Sequence, residues 1–280
     1  MKKIVILTGS ELRHTFVRKY IALDHEIQVL GSFCEGTEKS LATFVGKQKE
    51  EDSRLRKKHL RLREQSESDF FELFVSTTED HSNPVFLLYG EINNPEYVEK
   101  VISLKPDLIV AYGCSLIKEP LILAFEGRFL NVHLGLSPYY RGSGTNYWPL
   151  VMGQPELVGV TFMHIDPGID TGEIIHQIRA RVFSGDTPSS IGNRLIVDMA
   201  KMYRMVVKKI DFLPKPKMVQ PQAIAIDKVY RQKDYNEASV EKLYSLFKEG
   251  LIERYLGEIK ERELRFPIVS NPILTKMRKP

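Results

Sequence analysis

Cysteine is scarce in this chain. Two cysteines occur among 280 residues, Cys34 and Cys114, and neither belongs to a CxxC motif or to a cluster with histidine. The pattern therefore suggests neither a disulfide framework nor a zinc site, and we expect no metal. Because disulfides persist mainly in oxidising compartments, a reducing, cytoplasmic location fits this composition best.

Long hydrophobic runs are missing as well. The longest, residues 108–117, is interrupted by a glycine and by polar residues and falls short of the roughly 18 residues that span a bilayer. The apolar run Ile4–Leu7 is too short for the core of a signal peptide. We therefore expect a protein that is neither secreted nor membrane-spanning.

Neither sign of charge is in large excess. Lysine and arginine total 40 and aspartate and glutamate 36, and the resulting net charge of +4 gives by itself no argument for nucleic acid binding. With 42% hydrophobic and 27% charged residues, the composition is that of a globular protein and excludes a disordered chain. The length allows one large domain or two ordinary ones.

Strand and helix patterns alternate along most of the chain. Residues 3–7 and 27–33 are typical of strands on either side of a helix, and the first of them is almost continuously apolar, as in a parallel sheet buried on both faces. Further strand patterns occur at 85–89, 107–112, 128–133, 158–164 and 172–182, and further helix patterns at 94–104, 115–125, 146–152 and 187–210. We predict an α/β fold with a Rossmann-like, doubly wound, mostly parallel sheet that binds ligands beyond the carboxyl ends of its strands.

Two segments depart from this alternation. Residues 47–74 are rich in charge, including the basic run Arg54 to Arg63, and predict an exposed charged helix inserted after the second strand; a basic patch for a partner or a phosphate is the alternative. Pro214, Pro216 and Pro221 indicate a linker. We therefore predict a catalytic domain at 1–210 and, at 211–280, a linker with a small, mainly helical extension that holds one helix near 240–256.

Three polar residues stand where the pattern alone would not place them. Asn131 and His133 leave the same face at the end of one predicted strand, and Asp170 lies in a loop bracketed by Gly168 and Gly172. An amide, an imidazole and a carboxylate that meet there would stabilise an oxyanion and move a proton. Spacing alone also allows a buried Asn–His pair that satisfies loop backbone, and an aspartate that caps a turn.

Four motifs in order extend this pattern. They are Leu108–Gly113 (LIVAYG), Asn131–Gly142 (NVHLGLSPYYRG), Gly159–Thr161 (GVT) and Asp166–Ile175 (DPGIDTGEII). Over roughly residues 1–210 the chain resembles the formyltransferase family, whose members use 10-formyltetrahydrofolate and include glycinamide ribonucleotide, methionyl-tRNA and sugar N-formyltransferases. No Walker motif or complete GxGxxG accompanies them, so the use of ATP or NAD has no support.

The resemblance implies catalytic roles for Asn131, His133 and Asp170. Asn131 matches the asparagine that hydrogen-bonds the formyl oxygen. His133 matches the histidine that stabilises the oxyanion of the tetrahedral intermediate and takes part in proton transfer. Asp170 matches the aspartate that sets the ionisation of this histidine and assists removal of the amine proton.

The resemblance also implies binding residues for the two substrates. For the co-substrate 10-formyltetrahydrofolate they are a turn whose backbone meets the pterin and a loop that closes over it: Ser115, Leu116, Ile117, Asp166, Pro167, Gly168 and Ile169. For the acceptor they are residues of the first turn and of the YRG motif: Gly9, Ser10, Arg13 and Arg141. A plain tight turn is the alternative at Gly9 and Ser10.

The acceptor amine is the open question. Tyr140–Gly142 followed by Trp148 looks like the sugar N-formyltransferases, although Trp148 also suits a core position. Residues 211–280 are fewer than the basic barrel of methionyl-tRNA formyltransferases needs, so we expect the amine of a nucleotide-linked amino sugar for polysaccharide biosynthesis and no nucleic acid partner. The alternatives are methionyl-tRNA or glycinamide ribonucleotide as acceptor, a formyltetrahydrofolate hydrolase, and a non-catalytic binding module. A homodimer stays open.

Overall fold

A computed structural model describes residues 1–49, 53–215 and 229–276. The strands within these ranges are β1 Lys2–Gly9, β2 Ile27–Glu35, β3 Pro84–Leu87, β4 Leu108–Tyr112, β5 Phe129–His133, β6 Arg141–Gly142, β7 Gly159–His164, β8 Ile174–Arg179 and β9 Val229–Tyr230. The α-helices are α1 Leu12–Ala22, α2 Leu41–Gly46, α3 Arg54–Thr77, α4 Pro95–Ser103, α5 Glu119–Ala124, α6 Trp148–Val151, α7 Pro188–Lys209, α8 Glu237–Lys248, α9 Leu251–Arg265 and α10 Pro272–Lys276.

Seven strands form one sheet in the order β3-β2-β1-β4-β5-β7-β8. The first five in this order run parallel, and β7 and β8 pair antiparallel at one side. The chain moves outward from β1 to β3 and then returns to β4, so the strand order reverses between β1 and β4. Ligands of doubly wound sheets bind at this switch point. The predicted α/β class with a mostly parallel sheet is confirmed.

Apolar strands buried on both faces produce this sheet. Every residue of Leu108–Tyr112 in β4 is buried, as is Ile4–Leu7 in β1. One face carries the larger apolar core with α1, α3 and α7, and the other carries a smaller core with α4 and α5. Helix α7 begins at a capping box in which the side chains of Thr187 and Ser190 bond each other's backbone N–H.

Helix α3 differs from the exposed helix expected for this charged segment. Its inner face packs against α1, α7 and α8 and buries Arg56, His59 and Phe71. Charged side chains are buried here because they are paired, as Arg56 is with Glu237 of α8 at 3.2 Å. One face of α3 therefore belongs to the core, whereas the opposite face is exposed and charged.

The C-terminal extension is mainly helical, as predicted, and packs on the α/β unit. Val269 accepts a hydrogen bond from the Gln177 N–H at the edge strand β8 and donates its own N–H to the Gln177 side chain, both at 2.8 Å. The single helix predicted near 240–256 is wrong, because Gly250 adopts φ +79° and separates α8 from α9. Of the linker prolines, Pro216 and Pro221 lie outside the described residues. Within the described ranges no helix has the length and apolarity that a bilayer span requires.

Candidate active site

A cavity of about 740 Å³ opens at the carboxyl ends of β1, β4 and β5. The three residues expected to act in catalysis, Asn131, His133 and Asp170, all line it. Asn131 lies in the middle of β5 and His133 ends it, and Asp170 comes from the loop between β7 and β8. The sheet therefore brings together residues that the sequence separates.

His133 and Asp170 form a close pair. His133 Nδ1 lies 3.2 Å from Asp170 Oδ1, and both side chains are largely buried. The other ring nitrogen, Nε2, lies 3.1 Å from the carbonyl oxygen of Tyr140. The second carboxylate oxygen, Asp170 Oδ2, accepts a hydrogen bond from the Gly142 N–H at 3.0 Å. The imidazole is thus held between a carboxylate and a backbone carbonyl.

The backbone at two positions, Asp170 and Gly135, allows the contact between His133 and Asp170. Asp170 has φ +54°, a left-handed conformation that aspartate tolerates better than most residues. Gly135 leaves the space that the His133 ring occupies, since a Cβ there would overlap Nε2. A side chain at position 135 would therefore displace the imidazole, and few residues other than aspartate and asparagine suit the backbone at position 170.

Asn131 completes the group. It lies two residues before His133, so both side chains leave the same face of β5. An amide donor, an imidazole and a carboxylate around one cavity can stabilise a developing oxyanion and transfer a proton. Burial raises the pKa of the neighbouring Cys114 thiol to about 12, so this residue, which also lines the cavity, stays protonated and is a poor nucleophile.

The turn at 115–117, predicted to meet the pterin, lines the cavity and is anchored by a buried carboxylate. Glu35 at the end of β2 accepts hydrogen bonds from the Ser115 hydroxyl and from the Gly90 N–H, each at 2.8 Å, and from the Ser115 N–H. The predicted helix from residue 115 begins only at Glu119, because Lys118 is extended and Pro120 in the first turn has no N–H to continue the helix toward residue 115. Leu116 is 63% exposed and presents an apolar side chain at the cavity.

The loop at 166–169 contributes to the wall of the same cavity. Asp166 Oδ1 accepts hydrogen bonds from the Gly168 N–H at 3.1 Å and from the Thr171 hydroxyl at 2.8 Å, which fixes the turn. Asp166, Gly168 and Ile169 line the cavity, whereas Pro167 is exposed and is not one of its lining residues.

The residues predicted to bind the acceptor divide into two groups. Gly9, Ser10 and Arg13 line the cavity, and Arg141 in β6 is not one of its lining residues. The Arg13 guanidinium bonds Glu67 at 2.9 Å and also contacts Glu11. A phosphate at this turn would therefore have to compete with two carboxylates.

Several lining residues were not foreseen from the sequence. They come from α1, α3, the start of α6 and the C-terminal extension, and they are His14, His59, Arg63, Tyr147, Gln232 and Tyr235. Burial, together with Arg13 and Arg63, holds the pKa of His14 well below its ordinary value. No local pattern could indicate these residues, because only tertiary packing brings their elements to the cavity. In the part of the chain that the structure describes, no group of three or more His, Cys, Asp or Glu residues is arranged to hold a metal ion.

Comparison with known proteins gives one family match and relatives that are similar over part of their length. A family model described as formyl transferase matches residues 53–207. The methionyl-tRNA formyltransferase of Desulforamulus reducens is 35% identical over 132 residues, which cover 46% of this chain and 41% of the relative. That of Francisella tularensis subsp. novicida is 31% identical over 141 residues, 49% of this chain and 44% of the relative. The matched region thus spans less than half of the length of these curated relatives.

Two solved structures share the fold. Phosphoribosylglycinamide formyltransferase from Streptococcus pneumoniae has a TM-score of 0.51 at 20% identity, covering 75% of this chain and 99% of that one. The enzyme of the same name from Anaplasma phagocytophilum has a TM-score of 0.53 at 16% identity, covering 78% and 91%. At these identities the likeness establishes the fold alone.

Proposed function

The chain belongs to the formyl transferase family, whose model matches more than half of its residues, and on this premise we propose that it transfers a formyl group from 10-formyltetrahydrofolate to an acceptor amine. The observation that carries the proposal is the contact of 3.2 Å between His133 Nδ1 and Asp170 Oδ1 in the wall of the cavity. Asn131 stands beside this pair, and these are the residue types that formyl transfer requires.

The residues divide the work as follows. Attack of an amine on the formyl carbon produces a charged tetrahedral species whose oxyanion needs hydrogen-bond donors. Asn131 supplies an uncharged N–H donor, and His133 supplies a site for the proton and, once protonated, a positive charge near the oxyanion. Asp170 holds the ring and stabilises its protonated form. The amine proton passes to this pair and then to the donor nitrogen as the bond from the formyl carbon to that nitrogen breaks, so that tetrahydrofolate leaves as the neutral amine.

We place the formyl donor between the turn at 115–117 and the loop at 166–169. Backbone groups fixed by Glu35 and Asp166 suit a flat heterocycle with donor and acceptor edges, because they cannot swing away. Leu116 and Ile169 add apolar surface at the opening. We propose that a donor held here turns its formyl group toward the His133–Asp170 pair.

For the acceptor we propose the amine of a nucleotide-linked amino sugar. Support comes from aromatic side chains in the cavity wall that suit the faces of a sugar and a base. They come from α3, from the residue before α6 and from the C-terminal extension: His59, Tyr147 and Tyr235. The two carboxylates that hold Arg13 argue against a ribonucleotide phosphate at the first turn.

Methionyl-tRNA is the second candidate, favoured by the names of the curated relatives and by one surface feature. Arg54, Lys58 and Arg61 are exposed and follow the i, i+4, i+7 spacing of one helix face on α3. Such a basic stripe would contact phosphates, and its binding would weaken steeply with added salt.

A panel of acceptors tests these proposals. The protein is incubated with 10-formyltetrahydrofolate and, in separate reactions, a set of nucleotide-linked amino sugars, methionyl-tRNA, glycinamide ribonucleotide or no amine, while tetrahydrofolate and the formylated product are measured. We expect a formylated sugar nucleotide. Product with methionyl-tRNA alone would select the second candidate, and donor turnover without any amine would indicate a hydrolase. No turnover with any acceptor or with water would contradict the proposal.

A charge variant separates the two acceptors. Lys58→Glu combined with Arg61→Glu changes only exposed side chains of α3. We expect the sugar reaction to stay unchanged, whereas reaction with tRNA, if it occurs, would weaken and lose part of its salt dependence.

A further inference from the structure

Residues of the C-terminal extension pair with the loop that follows His133. Strand β9 runs parallel to β6, with Val229 opposite Arg141 and Tyr230 opposite Gly142. The Ser143 N–H donates to the Tyr230 carbonyl oxygen at 2.8 Å. This part of the extension lies outside the region 53–207 that the family model matches.

The paired loop holds both members of the catalytic pair through its backbone. The Tyr140 carbonyl oxygen lies 3.1 Å from His133 Nε2, and the Gly142 N–H donates to Asp170 Oδ2 at 3.0 Å. A displacement of residues 140–142 would therefore change the position of the imidazole and of the carboxylate together.

The Tyr230 side chain fixes the position of this loop. Its ring is buried and stacks on Trp148, with centroids 4.6 Å apart and planes at 17°. It also stacks on Tyr140 at 5.8 Å and 21°. Trp148 in turn donates its indole N–H to the Ser143 carbonyl oxygen at 3.1 Å.

The backbone at Gly142 is also matched to this contact. Gly142 has φ +90°, and a Cβ there would overlap the Tyr230 carbonyl oxygen. The loop and β9 therefore approach more closely than any other residue at position 142 would permit.

We propose that Tyr230 is a positioning residue for the His133–Asp170 pair, so that the C-terminal extension is a working part of the active site. The proposal rests on the proposed formyl transfer. Tyr230 acts through Tyr140 and Gly142 and does not itself touch the reacting atoms. Because the turn at 115–117 is anchored separately by Glu35, loss of Tyr230 should lower kcat and leave the KM for the formyl donor nearly unchanged.

Three variants test this role by steady-state kinetics. Tyr230→Ala removes the stack, and we expect kcat to fall at least about tenfold, since small misplacements of catalytic groups are costly. Tyr230→Phe keeps the stacked ring and should stay within about 3-fold of the wild type. Tyr255→Ala is the matched control, because Tyr255 is an equally buried tyrosine of the same extension whose hydroxyl bonds Glu263; its kcat should also stay within about 3-fold.

Hydrogen exchange supplies a readout that does not depend on activity. We expect amide exchange in residues 141–143 to accelerate at least about tenfold in Tyr230→Ala and not in Tyr255→Ala. If Tyr230→Ala does not accumulate as folded protein, Tyr230→Leu keeps apolar bulk without the stack and carries the same expectation.

Different results would contradict the positioning role of Tyr230 and the proposed formyl transfer. Unchanged exchange at 141–143, unchanged kcat in Tyr230→Ala, or an equal loss in Tyr230→Phe would each overturn the positioning role. A wild-type protein that formylates no amine would contradict the proposed function instead, while the exchange data would still decide whether Tyr230 holds the loop.

Discussion

The charge of Asp170 can be removed without changing its shape. Asparagine has the same size and tolerates the left-handed backbone at this position. Its side-chain oxygen can still accept the Gly142 N–H, but no carboxylate then faces His133. We expect Asp170→Asn to lower kcat by at least about 100-fold and to change the free energy of unfolding by less than about 1 kcal/mol. Tetrahydrofolate release and urea unfolding measure the two effects, and near wild-type turnover would remove Asp170 from the mechanism.

Glu35 allows a separate test of the donor site. It accepts hydrogen bonds from Ser115 and from the Gly90 N–H, and an amide at this position would place a donor against donors. We expect Glu35→Gln to cost about 1–3 kcal/mol of stability and to raise the KM for 10-formyltetrahydrofolate more than it lowers kcat. Glu96→Gln on the exposed face of α4 is the control and should change neither quantity. A kcat effect alone would contradict a role for Glu35 in the donor site.

At the scale of single residues, the sequence indicated the candidate catalytic side chains but not the groups that hydrogen-bond to them. Asn131 and His133 follow from strand alternation, and Asp170 from a glycine-bracketed loop and the family motif. The groups that hold them, such as the Tyr140 carbonyl and the Gly142 N–H, are backbone atoms that any residue supplies. Residue type therefore carries no signal for them.

Among the elements, the junction of α8 and α9 depends on one glycine. Gly250 adopts φ +79°, whereas Gly257 lies inside α9 with open space around it. We expect Gly250→Ala to destabilise the protein by about 1 kcal/mol and Gly257→Ala to stabilise it by about 0.5–1 kcal/mol. Urea unfolding of the two variants gives the comparison. A destabilisation of equal size at both positions would contradict this account of the junction.

Burial of α3 makes stability dependent on pH. Desolvation, with a smaller effect of Arg63, lowers the pKa of His59 to about 4. An unfolded histidine titrates near 6.5, so the unfolded chain binds this proton first and stability falls as the pH drops from about 6.5 to about 4. Between about pH 7 and 4.5 we expect the free energy of unfolding of His59→Gln to fall by about 2 kcal/mol less than that of the wild type. The measurement is urea unfolding at both pH values, with exposed His25→Gln as control; parallel losses in wild type and His59→Gln would contradict the buried, neutral state.

Element boundaries were predictable where periodicity was long and not where single contacts decide them. The capped helix α7 lies at Pro188–Lys209, close to the predicted 187–210. The start of α5 was misplaced because Pro120, which has no N–H to donate, limits the helix to the residues after the extended Lys118. Strands β6 and β9 hold two residues each and are too short for any alternation to indicate.

At the scale of the molecule, the alternation of strands and helices predicted the mostly parallel sheet and the edge of the sheet at which the cavity lies. The same pattern does not tell where the C-terminal extension packs. That extension adds Gln232 and Tyr235 to the cavity and supports its loop through Tyr230. Its position depends on contacts between distant segments, which no local pattern encodes.

Transfer of an isotope-labelled formyl group tests the central claim most directly. The protein is mixed with labelled 10-formyltetrahydrofolate and its best acceptor from the panel, and label in the product amide is followed by mass spectrometry in the wild type and in His133→Ala. The account predicts label in the amide for the wild type and a rate at least about 100-fold lower in the variant. Label that reaches no amine in the wild type, or a His133→Ala variant that transfers it at the wild-type rate, would contradict the account.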